Sequence, residues 1–342
     1  MTRLLLHAPS VHTGGGLVLL KDLLGAPNLP LAWISVDARA INVLTIPAGA
    51  QVRAVRRSAI DRFAAESDLH AAARPGDVVL CFHGLPPLRR NLAHTVVFLQ
   101  NRNYLGVNRL REFAGWTRWR IALERLQCKM FRRNVDEYLV QTPSMARLVS
   151  AWHRNNPAIR VVPFLDTRML VPARVQGEAR RYDFMYVADG EAHKNHHALL
   201  QAWIALARDG CKPSLALTLG VRHAALAEEI ARAAVQHGLS IENLGELRRE
   251  QVIDLYAGSR ALIYPSMSES FSIPLIEAAS LGLPIVASEL DYVRDVVVPA
   301  QTFDPASPVS IARAVKRFLG VDEPALVVSS PAEFTVLLGK NR

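Results

Sequence analysis

Two carboxylates stand eight positions apart around a short turn: Glu269 and Glu277 enclose Ser270-Phe271-Ser272-Ile273-Pro274. The apolar string ALIYPS before the turn reads as a buried strand. Pro274 suits the first turn of a helix, where its missing N–H is no loss. That helix, PLIEAASLG, stops at Gly282, and LPIVAS is the next buried strand. Glu269 is therefore expected in a loop at the carboxyl end of a strand. Glu277 falls in the first turn of a helix, beside N–H groups that have no helical partner. Such a junction can hold an anion and can also grip a ligand rich in hydroxyls.

A cation belongs to the same chemistry. In ADGEAHKNHHALLQAW, Lys194 lies on a polar loop just after a strand and just before a helix, followed by Asn195. A diphosphate there would be stabilised by the lysine charge and the helix amides together. The loop Gly14-Gly15-Gly16 follows the first strand and opens a helix, and glycines let a backbone approach a ligand closely. The rival reading of this loop is a dinucleotide site, because Asp37 ends the second strand where a ribose-binding acid would sit. The spacing argues against it. With Gly14 and Gly16 as the first two glycines, the third falls on Leu19, which would crowd the helix against the sheet.

The string E-S-F-x-I-P-L-I-E-A, followed by G-L-P-I-V-A-S, resembles the donor-sugar signature of retaining family-4 glycosyltransferases (glycosyl transferases group 1, GT-B fold). The resemblance covers most of the second half closely and the first half only in layout. It implies an α/β chain of two Rossmann-like domains whose parallel sheets face across a cleft. It also implies a hexosyltransferase that takes a nucleotide-diphosphate sugar as donor and retains the anomeric configuration. On this resemblance Glu277 holds the ribose hydroxyls, and Glu269 with the amides around Ser270, Phe271 and Ser272 holds the hexose. Lys194 and Asn195 meet the diphosphate, and Gly14, Gly15 and Gly16 border the donor phosphate and the acceptor. Ser272 stands where Gly is commoner.

Asp189 stands where many members carry an Arg five positions before the Lys, so the usual pair of cations is incomplete. Either His193 or a basic residue elsewhere substitutes, or the phosphate is held less tightly. Members often carry a His at a strand tip near the transferred sugar. Here DVVLCFHG ends at His83-Gly84 and HTVVFLQN ends at Gln100-Asn101, so either His83 or the Gln100 amide takes that place. His7 and His12 flank the glycine loop and are further candidates. There is no Asp-x-Asp motif, so no metal and no cofactor beyond the donor substrate is expected. Same-face attack, with the leaving phosphate taking the acceptor proton, is the implied mechanism. The alternatives are another GT-B enzyme, such as a nucleotide-sugar epimerase, or a non-catalytic nucleotide-sugar-binding partner of another transferase. A role in lipopolysaccharide, capsule or other surface polysaccharide synthesis is implied by the family alone.

The elements that must position these residues follow from length and pattern. A chain of 342 residues suits two domains, since single cores stop growing near ~250–300 residues. Short apolar runs alternate with amphipathic stretches, which predicts βα layers and mostly parallel sheets. The break at VPFLDTRMLVPARVQGEARR, 162–181, predicts a linker between an acceptor domain at 1–163 and a donor domain at 164–342. VLTIPA and QVRAVR are possible extra strands of the first domain. No run approaches the ~18–20 apolar residues that span a bilayer, and MTRLLLHA reads as a first strand. Three scattered cysteines suit a reducing compartment, so a cytoplasmic protein is expected.

Charge divides the chain unevenly. Residues 1–163 carry 22 Lys and Arg against 10 Asp and Glu, a balance of +12, whereas the remainder is −3. Arg118, Arg125, Lys129 and Arg132 fall at helical spacings on one face; Trp119, Leu123, Leu126 and Met130 line another. Three readings compete: an ordinary solvated face, an anionic membrane surface, or nucleic acid. Beside a sugar-transfer signature, a glycan or lipid-linked acceptor at the inner membrane face fits best. No zinc pattern and no aromatic RNA-binding motif supports nucleic acid.

Overall fold

The computed structural model describes residues 2–108, 110, 115–153, 157–165, 180–321 and 330–331. Two parallel sheets organise them. The first holds β1 (Leu4–Ala8), β2 (Leu31–Asp37), β3 (Gln51–Val55), β4 (Val78–Cys81), β5 (His94–Phe98), β6 (Glu137–Val140) and β7 (Ala158–Val161). Its spatial order is β3-β2-β1-β4-β5-β6-β7. The second holds β8 (Tyr182–Tyr186), β9 (Leu215–Leu217), β10 (Ile241–Asn243), β11 (Ser259–Tyr264), β12 (Ile285–Ser288) and β13 (Gln301–Phe303), in the order β10-β9-β8-β11-β12-β13.

Helices α1 (Gly14–Leu24), α2 (Ala59–Ala72), α3 (Gly115–Phe131) and α4 (Pro143–Trp152) accompany the first sheet. Helices α5 (His196–Arg208), α6 (Ala224–His237), α7 (Arg249–Ala257), α8 (Ile273–Ser280), α9 (Asp291–Arg294) and α10 (Pro308–Leu319) accompany the second. Local chemistry sets several of their starts. Ser58, Thr142 and Ser307 cap α2, α4 and α10 by accepting a main-chain N–H, and Pro143 and Pro308 stand in first turns.

Central strands are buried on both faces and read as continuous apolar runs, as parallel sheets require. Leu5, Leu6, Ile34, Val79 and Val97 fill the first sheet; Phe184, Met185, Leu262, Ile263 and Val286 fill the second. Each such side chain contributes about 1.5–3 kcal/mol on burial. Separate clusters lie on the two sheets, with one overlap: Phe271 and Ile273 pack onto the cluster that contains Leu6, Phe82 and Phe98.

Both sheets reverse direction once, between β1 and β4 and between β8 and β11. In open parallel sheets ligands bind outside the carboxyl ends of the strands at such reversals. The loops there are the glycine loop and His83 in the first sheet, and Lys194 and Glu269 in the second.

One expected strand is absent. Within VLTIPA, Val43 closes a single 3-10 turn (Ile41–Val43) and the rest is irregular. Val43 is exposed, Pro47 offers no N–H, and β3 takes the edge beside β2. The helix expected from Pro274 begins one residue earlier, at Ile273. The linker expected at 162–181 lies for the most part outside the described residues.

Candidate active site

Strand β11 ends in a turn that delivers Glu269. Its Oε1 accepts from Lys194 Nζ at 2.7 Å, Ser266 Oγ at 2.7 Å and the Tyr264 hydroxyl at 3.2 Å. Three donors thus converge on one oxygen. Oε2 takes no donor from the described residues and is free to accept a hydroxyl from a ligand. The two side chains are 11% and 16% exposed for Glu269 and Lys194, so their attraction is little screened.

Lys194 closes a 3-10 turn (Ala192–Lys194) that runs into α5. Asn195 joins the two with φ 62°, a left-handed conformation that Asn tolerates. Its side-chain amide donates to Pro265 O at 3.1 Å and Pro305 O at 2.8 Å, so it pins the loops together. The His193 carbonyl accepts from Met267 N, which ties the lysine loop to the Glu269 turn. Burial holds the His193 ring below the usual histidine range. Asp189 is exposed, with Oδ1 accepting from Glu191 N.

Glu277 lies on α8 just beyond its first turn, one residue further in than expected because the helix already starts at Ile273, and is 8% exposed. Tyr256 donates its hydroxyl to Oε2 at 3.1 Å, and Arg249 Nη2 lies 3.4 Å from Oε1. Burial raises its pKa, against the pull of Arg249 and Tyr256. Ser272, 1% exposed, is the residue before α8.

The first domain meets this turn directly. Ser270 Oγ donates to the Gln100 carbonyl, Thr142 Oγ1 donates to Ser270 O at 3.3 Å, and Arg102 Nη1 donates to Glu269 O at 3.3 Å. In the glycine loop, a Cβ on Gly15 would sit 3.3 Å from Ile273 Cδ1, and one on Gly16 would sit 3.5 Å from Gln100 Oε1. Gly14 has φ +66°, which favours glycine. Gly15 therefore lets α1 approach the start of α8. The Gln100 amide is engaged locally, donating to Phe82 O at 2.9 Å.

Among the histidines, His83 is half-buried, with Nδ1 3.1 Å from His7 O and its ring edge-on to His7 at 4.9 Å. Burial pushes its pKa well below the ordinary value. No hydrogen bond or ion pair joins it to Lys194 or Glu269 among the described residues. His7 is buried between Ser35 Oγ, 2.7 Å from Nδ1, and Glu66, 3.5 Å from Nε2. His12 lies 3.2 Å from Arg39 Nη2. Asp37 is buried; burial pushes its carboxyl up, but the bonds from Arg39 outweigh that and hold it below the usual range. With both oxygens on Arg39, Asp37 is not poised for a ribose.

The basic face drawn on α3 needs correction. Arg125 is not solvated with the others: it donates to Asn103 O at 2.7 Å and Asn108 O at 2.6 Å. Arg132 falls on the turn after α3, its guanidinium 5.9 Å from the Trp152 ring centre. Arg118 and Lys129 remain exposed. The apolar side is also outside: Trp116, Trp119, Leu123, Leu126 and Met130 are 51–69% exposed and alternate at spacings of three and four. Tyr264, Ser266, Tyr256, Arg249 and Arg102 are the site residues that sequence reasoning missed. Tyr264 and Ser266 stand in the quoted ALIYPS string, but nothing in one chain says that their hydroxyls turn to Glu269.

Residues 173–327 match the family described as glycosyl transferases group 1. The serotype-specific mannosyltransferase WbdA of Escherichia coli is 30% identical over 235 residues, 62% of this chain and 27% of that protein. The O-antigen chain mannosyltransferase B of Escherichia coli is 31% identical over 116 residues, 33% of this chain and 30% of that protein. The chain thus spans about a quarter to a third of the length of these curated relatives. Among solved structures, HepE of Anabaena in complex with UDP and glucose superposes with a TM-score of 0.66 at 14% identity, covering 93% of this chain and 90% of that one. Sucrose-phosphate synthase of Thermosynechococcus elongatus gives 0.69 at 16% identity, covering 94% and 90%. At these identities the likeness shows the fold: two Rossmann-like domains in the GT-B arrangement.

Proposed function

We propose, on the premise that this chain belongs to the glycosyl transferases group 1 through residues 173–327, that it is a retaining hexosyltransferase of surface polysaccharide assembly. The donor is a nucleotide-diphosphate sugar, and the acceptor is a glycan or a lipid-linked glycan. Mannose is the hexose to test first, since the curated relatives named above are mannosyltransferases. The observation that carries the reading is the convergence of Lys194, Ser266 and Tyr264 on Glu269 Oε1, which leaves Oε2 open at the carboxyl edge of the second sheet.

In this reading Glu277 accepts from the vicinal hydroxyls of the ribose, and Glu269 Oε2 accepts from a hexose hydroxyl. Lys194 Nζ and the amides that open α8 offset the charge that builds on the leaving diphosphate. The bond from the anomeric carbon to the phosphate oxygen breaks as the acceptor oxygen bonds to the same face. The acceptor proton passes to the leaving phosphate, so the products are the glycoside and a nucleoside diphosphate. Neither glutamate then serves as nucleophile or general base, and the paired-carboxylate logic of glycosidases does not apply. Fixed positive charge takes the place of a divalent ion. The exposed apolar stripe of α3, flanked by Arg118 and Lys129, is the surface for an anionic membrane carrying the acceptor.

A donor screen by thermal shift tests this reading, with UDP-, GDP-, ADP- and dTDP-sugars against wild type and Glu277→Ala. A ligand at a hundred times its dissociation constant stabilises by ~2.7 kcal/mol. Stabilisation of the wild type alone by one nucleotide sugar supports the donor site; none with any of them overturns it. Turnover with Glu269→Ala then separates the classes. A transferase loses transfer by orders of magnitude, whereas a binding partner has no turnover to lose and an epimerase converts the donor without an acceptor.

A further inference from the structure

We infer that Arg102, reaching across from the first domain, is the second cation for the donor diphosphate and completes with Lys194 a clamp that spans the cleft. The inference rests on the donor reading above and adds a residue to it.

Arg102 opens a 3-10 turn (Arg102–Leu105) just beyond the end of β5. The mount is firm. Asn101 accepts from Asn103 N at 3.0 Å, Asn108 Nδ2 donates to Asn103 Oδ1 at 2.7 Å, and Arg125 holds the carbonyls of Asn103 and Asn108. From this turn Nη1 donates to the Glu269 main-chain oxygen. Its Nε is fully buried and has no partner among the described residues.

Several other guanidiniums are neutralised directly. Arg3, Arg39, Arg90, Arg160 and Arg294 each lie on a carboxylate. Among the described residues Arg102 forms no ion pair. A buried donor without a partner is costly, and a partly desolvated cation without an anion is more so. The Glu269 carboxylate offsets this only in part, since its Oε1 is already held by Lys194 and two hydroxyls. Asp189, in the loop before Lys194, is exposed and turned to a main-chain N–H.

Two cations therefore bracket one glutamate, Arg102 at its main chain and Lys194 at its side chain. The excess positive charge sits where the first and second sheets both end. A diphosphate supplies the missing anion, and a planar guanidinium is suited to donating to phosphate oxygens. Because the cations come from different domains, a ligand that bridges them also holds the domains together. Binding and cleft closure then become one event.

The test is calorimetric, on the full chain, with the nucleoside, its monophosphate and its diphosphate, using the base found in the donor screen. Arg102→Gln keeps a side-chain N–H for the Glu269 carbonyl and removes the charge; Arg102→Lys keeps the charge and removes the fork. We expect Arg102→Gln to weaken the diphosphate about tenfold or more, leave the nucleoside within twofold, and put Arg102→Lys between them. Equal losses for nucleoside and diphosphate would make Arg102 a brace of the domain contact and overturn the inference. So would unchanged affinity for both while Lys194→Met abolishes the diphosphate increment, and in that case the donor reading survives. If wild type binds none of the three, the donor reading itself falls.

Discussion

Lys194 and Glu269, 75 positions apart in the chain, meet at 2.7 Å between Nζ and Oε1. The contact links the loop after β8 to the loop after β11, the two neighbouring strands at which the second sheet reverses. It fixes the glutamate in one orientation, with Oε1 turned inward and Oε2 left to a ligand. A single ion pair thus sets both the local charge and the aim of the acceptor oxygen.

Lys194→Met should cost about 2 kcal/mol of stability. Removing one partner of a buried pair costs ~3–5 kcal/mol, and Ser266 and Tyr264 still donate to Oε1. Transfer should fall about 10²–10³-fold, as for loss of a charge aimed at a developing anion. Glu269→Gln should unfold less easily than Lys194→Met and lose transfer as well. Denaturant melts and a transfer assay check this pair; a Met variant that keeps full transfer would remove Lys194 from the chemistry.

Donor affinity should fall with pH because Glu277 must be ionised to accept from a diol. Burial raises its pKa above the ordinary glutamate value of 4.5, while Arg249 and Tyr256 oppose the rise. The sign for stability is the reverse. The folded state holds this proton more tightly than the unfolded chain, so stability from Glu277 is full below 4.5 and is lost as pH rises through the raised value. Nucleotide-sugar dissociation constants measured from about pH 8 down to about pH 5 should therefore weaken toward acid. Glu277→Gln should bind poorly at every pH. Arg249→Met should move the limb to higher pH, and an unmoved limb would exclude Glu277 as its source.

The strand-to-helix junction was legible because its determinants are local. An apolar strand, a tight turn and a Pro at a helix start place Glu269 and Glu277 without reference to distant residues. The glycine loop was legible for the same reason, since close approach to Ile273 favours a small residue at 15 and the positive φ at 14 favours glycine. Arg102 was not, because its role depends on a contact 167 positions away. The periodicity of α3 separated an apolar from a basic face but could not say which one the protein covers. Ile121 and Cys128 face inward, and the larger apolar stripe faces out. The error at Arg125 has a similar root: spacing shows a direction on a helix, whereas carbonyls of an irregular segment claimed the guanidinium. VLTIPA has the composition of a strand, but β3 takes the place beside β2.

His196→Leu should stabilise the second domain by about 1–3 kcal/mol at neutral pH. The ring is 3% exposed, neither nitrogen has a partner among the described residues, and Leu199, Leu215, Ile230 and Ile241 lie around it. Burial drives its pKa from 6.5 to about 4. The unfolded chain takes up a proton below 6.5 that the folded ring refuses, so stability is full above 6.5 and declines down to about 4. The loss amounts to ~3 kcal/mol across that window. The Leu variant should lack this part of the acid slope. A melting temperature at pH 7 below that of wild type would show that the imidazole has a partner worth more than its desolvation.

The exposed stripe of α3 should bind anionic vesicles without contributing to the fold. Trp116, Trp119, Leu123, Leu126 and Met130 form one seam on a helix whose other face is already packed, so their replacement removes little core. A second copy is a poor cover for it. Residues 115–134 hold six Lys and Arg against Glu124 alone, and two such helices would set like charges together. Anionic lipid meets both needs, with the indoles entering the interface and each nearby Lys or Arg adding ~1 kcal/mol. Among the described residues no helix is long and apolar enough to cross a membrane, so this contact would lie along the surface. Trp119→Ser with Leu123→Ser should leave the melting temperature nearly unchanged and reduce co-sedimentation with phosphatidylglycerol vesicles at least about tenfold. Arg118→Gln with Lys129→Gln should remove mainly the salt-sensitive part of binding. If the Ser pair sediments with vesicles as wild type does, the membrane surface lies elsewhere. A concentration-dependent dimer that the Ser pair abolishes would instead assign the seam to a second copy, despite the charge.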